Sequence, residues 1–354
     1  MTTGILLLLA GAVCGGSFGL PSKFVKKDTH WETLWGPFFL FVSVLIPTLV
    51  FPMIAKGLFA TVAEAGLAVV IWPVAFGFLW GLGSMTLGMS FSFIGLSLAY
   101  AINYGAQIVT GGFGGFVIHN VDQIAKPHGL AITTGIIICI AGVVVCGRAA
   151  ILKSKSLGDQ AESMPKGGKL IKGLIVAILS GILCACYGLA FGFGGEVMRI
   201  SVESQGNAGW QAAFVVSALI LWGGSISACG YCVFKLFKNK SWSTFKAPGI
   251  GKILLIALIM AALHDGAILF YGVGASYLGP LGAAVGYAVF MSFAIMVGNI
   301  NGFLTGEWRG ASRTSVSWII AGIAVLMIGV STLAYGNYLH GEFTKNQLAT
   351  TAVP

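Results

Sequence analysis

Lys252-Ile-Leu-Leu-Ile-Ala-Leu-Ile-Met-Ala-Ala-Leu-His264-Asp265-Gly-Ala-Ile-Leu-Phe-Tyr-Gly-Val-Gly-Ala-Ser-Tyr277 is apolar or small on both sides of one His–Asp pair. A run of this length crosses a hydrocarbon core of about 30 Å as a helix. An ionisable group at the centre of such a helix costs about 2.5–3.5 kcal/mol on insertion scales. It therefore marks a pathway or relay, unless a neighbouring His or hydroxyl satisfies it as a structural tie. Asp265 is the one acid near the middle of an expected span, and His264 the one histidine.

The rest of the chain reads the same way. Of its 354 residues 57% are hydrophobic and 9% charged, against roughly 25% charged in soluble domains. Backbone groups in lipid must be satisfied within their own segment, so the apolar runs are helices. Ten spans are expected, at 3–22, 34–55, 67–91, 95–117, 129–151, 170–193, 210–235, 251–274, 279–301 and 314–337. The fold class is all-α integral membrane. A Lys-, Gly- and Ser-rich linker over 152–169, with Pro165, divides the spans into two halves, 1–151 and 170–337, and a polar tail follows over 338–354. The run Met1 to Cys14 lacks the basic n-region of a signal peptide and is read as the first span. Cys229-Gly-Tyr-Cys232 has redox spacing, but lipid-embedded cysteine packs as a small hydrophobe. The odd total of seven argues against a disulfide framework. No metal cluster or cofactor motif is visible.

The net charge of +9 does not indicate nucleic-acid binding, because its meaning lies in where the charges sit. Sixteen of the twenty Lys and Arg fall in odd-numbered loops or their flanks; Lys56, Lys126, Arg199 and Lys345 lie on the other side. That asymmetry predicts cytoplasmic odd-numbered loops and two external termini. Ala10-Gly-Ala-Val-Cys14 is echoed by Ser180-Gly-Ile-Leu-Cys184, and Ser92-Phe-Ile-Gly95 by Ser276-Tyr-Leu-Gly279, at matching places in the two halves. With five spans per half, the second copy enters the membrane upside down. Inverted repeats of this kind bind substrate near the midplane, between the repeats.

The fourth span carries a polar stripe, Tyr100, Asn103, Tyr104 and Gln107, whose i, i+3, i+4, i+7 spacing puts all four on one helix face. Such residues serve either as interhelical hydrogen-bond glue, at about 0.6 kcal/mol per bond, or as the lining of a wet cavity. A full row of four favours the lining. Trp80 and Trp222 near the middles of their spans, and Tyr287, offer rings that stack on the C–H face of a sugar while N–H or O–H reaches a hydroxyl. Each alone is more often a packing residue. Together with the amides they suit a neutral, polyhydroxylated ligand, and no Lys or Arg sits at mid-depth for an anionic one. For Asp265, low dielectric favours the neutral acid, and an adjacent imidazole is able to accept or release the same proton. Gly77-x3-Gly81 and similar pairs read as close-packing seams. The Gly-rich stretches near 111–115 and 192–195 follow no strand, so they are not phosphate loops.

Several motifs resemble one family. They are Gly11 to Trp35, with Pro21-Ser-Lys-Phe-Val-Lys-Lys and Trp31-Glu-Thr-Leu-Trp35, and also Leu79-Trp-Gly-Leu-Gly83, Phe93-Ile-Gly-Leu-Ser97 and Phe270-Tyr-Gly-Val-Gly274. All are similar to the L-rhamnose–proton symporter family of the drug/metabolite transporter superfamily. The resemblance implies ten helices in two inverted five-helix repeats and proton-coupled sugar uptake across a bacterial inner membrane. On this reading Trp80, Tyr100, Asn103, Tyr104, Gln107, Trp222 and Tyr287 bind a small neutral sugar, and Asp265 assisted by His264 carries the proton. The other partner is the lipid bilayer; no nucleic acid is involved. A metabolite exporter or exchanger of the same fold is the nearest alternative. An integral-membrane enzyme using the His–Asp pair lacks a nucleophile, a metal or a phosphate site.

Overall fold

The computed structural model describes residues 2–26, 28–120, 124–157, 168–277 and 286–351, with backbone alone at 112–120, 169, 287, 288, 344 and 346–351. Among these residues every regular element is helical. In chain order they are α1 Thr2–Ser17, α2 Trp31–Ile54, α3 Leu58–Ala65, α4 Leu67–Ile94, α5 Leu96–Asn120, α6 Pro127–Leu157 and α7 Gly168–Cys184. Then follow α8 Cys186–Phe193, α9 Gly195–Gln205, α10 Gly209–Lys238, α11 Ile250–Tyr277, α12 Tyr287–Leu304 and α13 Arg313–Thr351. Eight helical stretches among the described residues are long and apolar enough to cross a membrane; α5 and the shorter α12 are not among them. The second member of one echo, at Gly279, and the side chain of Tyr287 lie outside the described residues.

The side chains are arranged for lipid. On α6, Ile137, Ile140 and Val144 point outward, while Gly135, Cys139, Gly142 and Cys146 are buried against α13. The seam is tight: a Cβ on Gly329 would lie 2.6 Å from the Cys139 sulfur, and one on Gly322 2.6 Å from that of Cys146. These cysteines pack as small apolar groups, and all seven are free thiols. The centre of the bundle is α10. Of its most apolar window 72% is buried, against 33–44% in the other seven candidate spans.

Breaks in the helices have local causes. In α2 a π-turn covers Phe41–Leu45, just ahead of Pro47. Proline has no N–H for the carbonyl four residues back and clashes with it, so the ladder widens there. The turn between α4 and α5 is one residue, Gly95, at φ +81°; a side chain is disfavoured at that angle and would also strike Glu307, 2.9 Å away. The last helix continues into the polar tail. α13 runs on to Thr351, with a Lys345–Glu342 pair along it and the His128 ring against His340 and Phe343.

The expected Gly77-x3-Gly81 seam faces α10. A Cβ on Gly77 would stand 2.1 Å from the Ile220 carbonyl oxygen, and reciprocally one on Gly223 2.1 Å from that of Val74. Both obstacles are backbone, so a methyl group forces the helices apart. Gly230, further along α10, meets nothing within 4 Å. Alanine at either position gains up to about 1 kcal/mol of helix propensity. We therefore expect Gly230→Ala to raise the thermal midpoint in detergent and Gly223→Ala to lower it. Equal shifts for the two variants would disprove the seam.

Candidate functional site

Half-way along α11, the His264 Nδ1 and Asp265 Oδ1 lie 2.9 Å apart. Consecutive helical residues project about 100° apart, so spacing alone does not require this contact. Asp265 is the buried member, 5% exposed, and its second oxygen, Oδ2, has no hydrogen-bond partner. The His264 side chain keeps 16% of its surface. Three rings enclose the imidazole: Phe18, just past α1, edge-on at 5.4 Å; Phe38 of α2, edge-on at 6.1 Å; and Trp80 of α4, tilted at 5.8 Å. Four elements far apart in sequence thus converge on one histidine.

Trp80 has a second neighbour that sequence reading passed over. The ring of Tyr187, on α8, stands edge-on to the indole at 5.7 Å. Its hydroxyl oxygen is buried and lies near enough to Ser217 and Asp265 to interact electrostatically with both, but it has no partner at hydrogen-bond distance and angle. An unpaired buried polar group costs about 1–3 kcal/mol. Two of them therefore flank the stack Tyr187–Trp80–His264, where a hydroxylated ligand is able to satisfy both. The stack is closed in this structure, with Trp80 only 5% exposed, so α8 or α11 must move off α4 to admit anything. Two cavities of about 330 and 300 Å³ lie elsewhere, the first between α12 and α13, the second around Lys26, His30 and Lys252. Neither is lined by the stack. Unpaired polar atoms, not volume, mark this site.

The polar stripe of α5 shares one face, as its spacing predicts, and each member has a protein partner. Gln107 Nε2 donates to Asn103 Oδ1 at 2.8 Å, Asn103 Nδ2 donates to Ser180 Oγ at 2.8 Å, and Ser180 Oγ donates to the Gly83 carbonyl at 2.7 Å. This chain crosses from α5 through α7 to α4 and ends one turn from Trp80. Tyr104 donates to the Gly15 carbonyl at 2.9 Å, and the Tyr100 hydroxyl accepts from Gly19 N–H at 2.9 Å. Phe18 stands between the stripe and the pair, 5.8 Å from the Tyr100 ring and 5.4 Å from His264. Trp222 faces another way: its Nε1–H donates to Thr48 Oγ1 at 3.0 Å and its ring stacks on Phe59. The structure thus joins Trp80 to His264 and Asp265, sets the stripe one ring away, and leaves Trp222 apart.

Comparison with known proteins follows the same lines. Residues 1–338 match the family described as L-rhamnose-proton symport protein (RhaT). L-rhamnose-proton symporters of Citrobacter koseri, Escherichia coli O1:K1 and Shigella boydii serotype 18 are each 26% identical to this chain over 344 residues. The alignments cover 95% of the chain and 98% of each relative. A His–Asp pair with a buried carboxyl among membrane-length helices, inside a match that runs nearly end to end, leads to one conclusion: the chain belongs to the L-rhamnose-proton symport protein family.

Proposed function

We propose that the protein is a secondary active transporter coupling proton inflow to uptake of a rhamnose-like sugar across a bacterial inner membrane. The observation that carries this reading is the buried His264–Asp265 pair with one carboxylate oxygen unpaired, at the meeting point of α1, α2, α4, α8 and α11. His264, the more exposed partner, meets an arriving proton first and hands it to Asp265. The sugar lies between Trp80, Asp265 and Gln107. Tyr100, Asn103 and Tyr104 hold the wall through their interhelical bonds. Tyr287 completes the proposed binding set, and Trp222, bonded to Thr48, is left out of it.

The proposed architecture is two inverted five-helix repeats, α1 to α6 and α7 to α13, with both termini external. Helix packing supports the exchange of one repeat for the other. α1 packs on α11 and α12, as α7 packs on α4 and α5; α2 packs on α11, as α10 packs on α4; α6 pairs with α13 and α5 with α12. Each contact has its counterpart under the swap. The orientation rests on the sixteen-to-four division of basic residues, and labelling with a membrane-impermeant thiol reagent at an introduced terminal cysteine checks it.

Proteoliposomes test the function. With a proton gradient directed inward, labelled L-rhamnose is expected to accumulate above its external concentration, and collapse of the gradient should abolish accumulation. Sugar at 100 times its Kd should also stabilise the purified protein by about 2.7 kcal/mol in thermal denaturation. Uptake indifferent to the gradient, with exchange alone observed, would favour the exchanger.

A further inference from the structure

We infer that Tyr187 is a specificity-determining residue: its phenol O–H donates to a single sugar hydroxyl, which also reaches the free oxygen of Asp265. The inference rests on the transport reading above and adds the group that selects among sugars. The geometry is local. α7 is interrupted at Ala185, although Leu189 N–H still bonds to the Ala185 carbonyl, and α8 starts at Cys186. The Tyr187 ring is thereby set against Trp80 at 5.7 Å and 64°, on the same indole that contacts His264 at 5.8 Å.

The hydroxyl is buried without a hydrogen bond, and so is Asp265 Oδ2. One is a donor and the other an acceptor while Asp265 is ionised. A hydroxyl group placed between them accepts from the phenol and donates to the carboxylate, satisfying both with its own two functions. An aliphatic methyl or hydrogen in that place satisfies neither. Sites with dedicated polar partners reject the analogue lacking the matching group, because the partners are then left buried and unpaired. Ser180, seven residues earlier, shows the contrast: its hydroxyl is fully used between Asn103 and Gly83 and is a tie between helices.

The test uses L-rhamnose and its singly deoxygenated analogues as competitors of labelled L-rhamnose uptake by the wild type and Tyr187→Phe in proteoliposomes. In the wild type one analogue should compete about tenfold or more less well than the parent, the size of a lost buried hydrogen bond with its unpaired partner. In Tyr187→Phe the parent should weaken to that level. The same analogue should lose nothing further, the other analogues should keep their ratios to the parent, and uptake should still depend on the gradient. Equal weakening of every analogue, or none, in Tyr187→Phe overturns the assignment. If that variant does not fold, the wild-type series decides, because analogues that all compete equally rule out a hydroxyl-reading pair. Failure of the transport reading itself is distinguishable, as the wild type would then show no gradient-driven uptake.

Discussion

In Asp265→Asn, gradient-driven accumulation of sugar is expected to vanish while exchange of labelled for unlabelled sugar continues. The amide keeps the shape of the carboxyl and a hydrogen bond to His264, now 2.9 Å from Oδ1, but cannot bind and release a proton. One coupled elementary charge is worth about 2.3 kcal/mol per 100 mV. At 1.4 kcal/mol per tenfold, its loss lowers the attainable concentration ratio about 50-fold for each 100 mV. Exchange needs only binding and the movement of α8 or α11 off α4, so it survives. Counterflow and accumulation measured on the same vesicles separate the two. Full accumulation by Asp265→Asn would sink the proton role, and loss of both activities would reassign Asp265 from proton coupling to sugar binding or structure. His264→Gln should slow coupled uptake without removing it, because it takes away the exposed relay and leaves the carboxyl.

Much of this was legible in the sequence, for a simple reason: apolar runs of about 20 residues leave the chain no option but helices, so eight of the expected spans are matched by membrane-length helices among the described residues. Periodicity also gave the shared face of Tyr100, Asn103, Tyr104 and Gln107. It could not give their partners, since Ser180 and Gly15 arrive from helices 77 and 89 residues away. The His264–Asp265 contact depends on rotamers, which spacing does not reveal. Tyr187 sits among Cys, Gly, Leu and Phe in an ordinary apolar run, and only the approach of α8 to α4 distinguishes it from a packing tyrosine. Glu307 escaped for the opposite reason: a lone acid in a basic loop looks solvated, and its ties span more than 200 residues.

Those ties make Glu307 the side chain whose removal should most weaken the fold. It lies between α12 and α13, beside the start of α5. One oxygen accepts from Leu96 N–H at 2.6 Å and the other from Ser97 N–H at 3.0 Å, capping the first turn of α5, where helix N–H groups lack partners of their own. The Lys23 ammonium is 2.6 Å from the carboxylate and 2.5 Å from Thr305 Oγ1. Next in sequence, Trp308 donates to Ser97 Oγ at 3.1 Å and receives the buried Lys153 ammonium over its ring at 4.5 Å. Removing the carboxylate leaves the Leu96 and Ser97 N–H groups without their acceptor, at about 1–3 kcal/mol for each buried donor, while the partly exposed Lys23 keeps Thr305. Glu307→Ala is therefore expected to lose that much in thermal denaturation in detergent. Glu307→Gln should lose less, since its amide oxygen still accepts from one N–H. The pH dependence has a definite sign. Burial alone would push the Glu307 carboxyl up, but the Lys23 ammonium and the Ser97 and Leu96 amides outweigh it and hold the carboxyl below the ordinary carboxylate value. A depressed acid contributes its full stability above its unfolded value, about pH 4.3, and loses it as the pH falls through the folded one. Wild-type stability should thus decline on the acid side of about pH 4.3, and Glu307→Gln should flatten that decline.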